Sequence, residues 1–122
     1  MITPGDFSVK NADVFRSLCE RRFSPLLLSI IEWIGSEYGV MITEGYREKR
    51  HRNDLHGTQP VRAIDCRSWD YPAGWETEIE RVVNQMWQYD PWRPEMKVCV
   101  WHNVGQGVHF HVQVHPNTRK TM

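Results

Sequence analysis

Two histidines, His109 and His111, flank Phe110 in a run where Val108, Phe110, Val112 and Val114 alternate with His109, His111, Gln113 and His115. In a strand this alternation puts the apolar side chains on one face and the imidazoles on the other. Histidines two residues apart on a strand stand about 7 Å from each other and face one space. Such a pair can supply one metal ligand and a proton-transfer group, or two ligands. Either histidine alone is better read as a surface residue, but Asp65 shifts the balance. It ends the mostly apolar run Val61-Arg62-Ala63-Ile64, and a carboxylate there is costly to bury without a cation or a metal beside it. With His56 upstream, the set His, Asp and His is one that a catalytic zinc uses while a fourth position stays open to water.

The elements that must position these groups follow from periodicity and capping. Asn11 or Asp13 can cap a first helix with Val14, Phe15, Leu18 and Cys19 on one face, ending near Arg21-Arg22. Ser24-Pro25 starts a second helix with Leu27, Leu28, Ile31 and Ile34 as its apolar stripe, and Gly39 stops it. Val40 to Tyr46 reads as a strand, Arg47 to Pro60 as a long charged loop, and Val61 to Cys66 as a second strand. Ile79, Val82, Val83 and Met86 mark a third helix, ending before Asp90-Pro91. Lys97 to Trp101 and Val108 to Val114 should form a hairpin around a turn at Asn103 to Gly107. Early helices and late antiparallel strands predict an α+β fold: a small antiparallel sheet of about four strands with helices packed on one side.

The 122 residues, 40% hydrophobic, fit a single domain, 1–122. Fifteen basic and fifteen acidic side chains balance, which excludes a large positive field toward nucleic acid or a membrane. Cys19, Cys66 and Cys99 lack CxxC spacing and read as reduced thiols, the latter two as small hydrophobes in strands. Met1 to Ser8 show no basic start followed by an apolar stretch, and Leu26 to Ile31 is far short of a membrane span. The expectation is a soluble monomer made in the cytoplasm without a signal peptide.

In order along the chain, Thr43-Glu44-Gly45-Tyr46-Arg47, His56-Gly57, Ala63-Ile64-Asp65 and His109-Phe110-His111 resemble the zinc peptidases of the lysostaphin, D-Ala-D-Ala peptidase and hedgehog superfamily. The match is closest to their D-alanyl-D-alanine carboxypeptidase and phage endolysin branch, and it spans about residues 40 to 114. The resemblance implies a hedgehog and DD-peptidase-like fold and hydrolysis of peptidoglycan stem peptides or cross-links. It assigns His56, Asp65 and His111 as the ligands of Zn2+, His109 as the general base, and Arg47 as the group beside the scissile carbonyl or substrate carboxylate. It also implies action on the cell wall after release, as for a phage lysin. Asp54 stands where the family has serine, Gly57 directly follows His56, and the His-to-Asp interval is two residues longer than the family pattern. His51 is therefore the alternative ligand to His56.

His-hydrophobic-His is also the metal motif of tyrosine nucleases that cut single-stranded DNA. Only eleven residues follow His111 and none is tyrosine, leaving Tyr38 or Tyr46 as nucleophiles of a reversed order. A non-catalytic metal-binding or structural phage domain of the same fold is the other alternative. Among six tryptophans, Trp69 and Trp92 sit in loops and are the better candidates for substrate contact. His102 and His115 read as surface groups or as residues that orient the ligands.

Overall fold

Two of the three helices begin where the sequence supplies a capping side chain. In a computed structural model, which describes residues 1–103, 105 and 107–121, Asn11 accepts the Val14 N–H at 3.0 Å to start α1 (Ala12–Glu20). Ser24 accepts the Leu27 N–H at 3.4 Å to start α2 (Pro25–Glu37), whose first position is the proline that has no N–H to leave unpaired. The third helix, α3 (Trp75–Met86), follows Gly74 at φ +86° with no side-chain cap, and Glu76 and Glu78 complement its N-terminal dipole. No helix among the described residues is long and apolar enough to cross a membrane.

The fold is α+β, but its main sheet has five strands and is mixed rather than four and antiparallel. Its order is β1 (Phe7–Val9), β2 (Val40–Glu44), β3 (Ala63–Arg67), β6 (Val108–Gln113) and β5 (Cys99–Asn103), and only β1 and β2 run parallel. The short strands β4 (Trp87–Gln88) and β7 (Arg119–Lys120) pair separately. Runs of two or three residues are too brief to show periodicity; β1 forms because it lies along β2 with the Phe7 ring packed where a side chain at Gly35 would be.

The expected hairpin of β5 and β6 forms, with Trp101 opposite Phe110 and His102 opposite His109. Val104 and Gln106 of its turn lie outside the described residues. Val61 makes only an isolated parallel bridge to Phe23, so β3 starts two residues later than its apolar run suggested.

One face of the sheet, with Ile64, Cys66, Phe110 and Val112, shares a core with Leu27, Ile30 and Ile31 of α2 and Ile79 and Val83 of α3. The stripe expected on α1 is narrower. Val14 is buried, whereas Phe15 and Cys19 face solvent because α1 packs mainly against β1 and β2 at the sheet margin. Leu28 of α2 is likewise exposed. Cys66 and Cys99 are buried free thiols; burial pushes Cys66 well up and Cys99 up to about 12, keeping both protonated.

The outer edge of β5 is closed by α3. The Asn84 side chain accepts the N–H groups of Val98 and Cys99 at 3.0 Å each and donates to the Cys99 carbonyl at 2.7 Å. Glu80 accepts the Trp101 N–H at 2.8 Å. Four edge groups that would otherwise await another strand are thereby satisfied.

Candidate metal centre

The second face of the same strands carries the site. Register places Asp65 opposite His111 and Arg67 opposite His109, so alternation sets Ala63, Asp65 and Arg67 beside His109, His111 and Gln113. On β2 the pairing passes from Ile42–Cys66 to Glu44–Asp65, two steps on one strand for one on the other. A bulge of this kind re-aims side chains. Without it Glu44 would share the core face with Ile42; with it Glu44 turns to the site and pairs with Arg47.

The loop after β2 is held by Asp54, which is 3% exposed. Its carboxylate accepts the N–H groups of His56 at 3.1 Å and Arg50 at 3.0 Å, and Arg47 Nε at 3.2 Å. Burial works to raise its pKa, but these donors prevail and hold it below the ordinary value. Asp54 thus caps the single 3-10 turn Leu55–Gly57 that delivers His56. Gly57 lies so close that a Cβ would stand 2.9 Å from the Lys49 nitrogen.

His56, Asp65 and His111 meet here, with one donor atom from each lying within 4.8 Å of the others. His56 is fully buried and is the histidine of the group, whereas His51 is exposed on the loop. Asp65 Oδ1 is 3.2 Å from His56 Nε2 and 2.9 Å from His111 Nδ1.

Hydrogen-bond partners assign the ring protons. His56 Nδ1 is 2.7 Å from the Gly45 carbonyl, which only accepts, so Nδ1 carries a proton and Nε2 turns a lone pair to Asp65. Gln113 donates its amide to the Lys97 carbonyl at 2.8 Å, which presents Gln113 Oε1 to His111 Nε2 at 3.1 Å. That nitrogen is then the protonated one, and His111 Nδ1 turns its lone pair to the same carboxylate oxygen. Two lone pairs and a carboxylate need positive charge between them, either an extra proton on each ring or one cation. Ligands about 2 Å from a tetrahedral ion stand about 3.3 Å apart, close to the two separations from Asp65 Oδ1. The group fits a metal ion.

Burial would raise the Asp65 pKa, but when the facing nitrogens of His111 and His56 carry the extra protons, their hydrogen bonds and charge outweigh it and keep the carboxyl well below its usual range. His109 Nδ1 lies 3.2 Å from the Gly107 carbonyl and Nε2 3.7 Å from Asp65 Oδ2, so its free lone pair borders the group. Arg47 lies at the wall, one guanidinium nitrogen 3.9 Å from Asp65 Oδ2, with Asp54 and Glu44 holding its fork. His102, opposite His109 on β5, joins the cluster with its ring 4.8 Å from that of His109 and 5.7 Å from that of His111. Burial and those two neighbours lower its pKa. Trp69 is exposed and stacks on Arg67 at 4.1 Å, and Trp92 is exposed; neither lines the cleft.

Sequence reasoning did not find the parts of Asp54 and Gln113, and left His102 as a surface or ligand-orienting group. Asp54 stands two residues before His56, the spacing of a side chain that accepts a nearby N–H, and Gln113 lies on the face of His111. Only the pairing of β5 with β6 brings His102 in. Compared with protein families, with curated proteins and with solved structures, the chain matches none.

Proposed function

We propose that the protein is a zinc-dependent peptidase acting on peptide bonds of bacterial peptidoglycan. The observation that carries this reading is the convergence of two imidazole lone pairs, His56 Nε2 and His111 Nδ1, on the Asp65 carboxylate at the floor of an open cleft. When bound there, zinc supplies Lewis-acid activation of water and of the scissile carbonyl. His109 Nε2, left unprotonated by the bond from Nδ1 to Gly107, takes the proton of the attacking water and hands it to the leaving amine. Arg47, fixed by Asp54 and Glu44, contributes permanent positive charge on the side where oxyanion charge develops. Gln113 and the Gly45 carbonyl keep the two ligand rings in the protonation form that binds a cation.

The test is elemental analysis of the purified protein together with mass spectrometry of cell wall digested by it. One zinc per chain and new peptide termini, both lost in His111→Ala, are expected. Zinc bound without any peptide cleavage would overturn the enzymatic reading and leave a metal-binding domain. A tyrosine-linked DNA product would replace it with a nuclease.

A further inference from the structure

Charge is segregated in this neutral chain. The cleft above the metal group, about 830 Å³, is lined by Arg47, Lys49, Arg50, Arg52, Arg62 and Arg93 against only Asp54 and Asp65. Both acids are already engaged, Asp54 by Arg47 and two backbone N–H groups and Asp65 by the histidines. Arg47, Arg50 and Arg93 have carboxylate partners. Among the described residues, Lys49, Arg52 and Arg62 pair with none.

A second cavity of about 570 Å³ adjoins the cleft and has no acidic residue in its lining. Lys49, Thr58, Arg62 and His115 line both, so they form the junction between the two. The Thr58 hydroxyl is committed, its one proton shared by the Leu55 and Pro60 carbonyls and its oxygen accepting the Arg62 N–H. His115 Nδ1 accepts the Asn117 N–H at 3.0 Å, which makes Nε2 the proton-bearing nitrogen. The nearest carboxylate to His115, Asp90 at 3.8 Å, is committed to Trp92, Arg93 and Asn117. The junction therefore offers a guanidinium, an ammonium and an imidazole N–H without a resident anion.

We infer that this junction is an anion subsite: an acidic peptide lies along the cleft with one carboxylate, distant from the bond over the metal group, held by Arg62 with Lys49 and His115. The peptide source rests on the peptidase reading. A carboxylate suits a planar fork of donors, whereas a nucleic acid strand calls for stacking platforms along its track, and among the described residues the only Trp, Tyr or Phe ring lining the cleft belongs to buried Tyr89.

The test compares two synthetic stem peptides, one with the α-carboxylate of its γ-linked D-glutamate free and one with that group amidated. Calorimetry on zinc-loaded His109→Ala protein, which keeps the metal ligands but turns over little, reads binding alone. The free carboxylate is expected to bind about tenfold tighter, the scale of one charge-assisted hydrogen bond. Arg62→Gln should erase that preference while leaving the amidated peptide's Kd unchanged, which also reports that the variant folds. Equal affinity for the two peptides, or an equal loss for both in Arg62→Gln, overturns the subsite. Binding of a single-stranded oligonucleotide in place of either peptide overturns it too and reassigns the cleft. A carboxylate preference in a protein that cleaves neither peptide sustains the subsite and refutes only the peptidase reading.

Discussion

Strands β3 and β6 present two faces held by different physics. Toward the helices, Ile64, Cys66, Phe110 and Val112 fill space in a shared core, where interchange costs depend on volume and shape. Toward the cleft, Asp65, His109, His111 and Gln113 form a polar network in which every partner fixes a proton or an orientation. The first face tolerates small changes because dispersion is shared among many atoms. The second concentrates its energy in a few directed contacts, so single-atom changes there act on chemistry.

The sharpest way to break the contrast is Asp65→Ala. Removing the carboxylate at the centre of a buried charged cluster should cost about 3–5 kcal/mol in the metal-free protein and abolish metal binding, read by denaturant unfolding and by elemental analysis. In Asp65→Asn a pH series adds the sign. Because the folded carboxyl is held below its usual pKa, the stability it contributes is fully present above about pH 4 and is lost as pH falls further. The wild-type advantage in melting temperature should therefore shrink on acidification.

His109→Ala should follow in size, lowering kcat by about 10²- to 10⁴-fold with metal stoichiometry unchanged. Gln113→Leu frees the His111 ring and should weaken metal affinity about 10- to 100-fold, read by competition with a chelator. On the core face, Ile64→Val should cost only about 0.5–1.5 kcal/mol with metal affinity per folded molecule unaltered. A loss of affinity there as large as that of Gln113→Leu would dissolve the distinction between the faces.

The two faces also differ in what a sequence reveals. Alternation along Val108 to Val114 announces a strand and separates its core side from its imidazole side, since period two is a local property. His56, Asp65 and His111 were legible as a set because a carboxylate in an apolar run and paired histidines are each unusual. What joins them is not local. The His111–Asp65 contact spans 46 residues and depends on register, and the bulge on β2 that redirects Glu44 leaves no mark in composition. Strand β1 escaped for another reason: with three residues, it owes its form to its neighbour rather than to its own pattern.

The Asn84 amide at the β5 edge imitates a neighbouring strand with one side chain. It makes the two borders of the main sheet unequal: side chains of α3 already occupy backbone groups beside β5, whereas among the described residues no strand lies beyond β1. Asn84→Ala leaves three backbone groups of that border without their side-chain partner, and only Glu80 then stands in for a strand there.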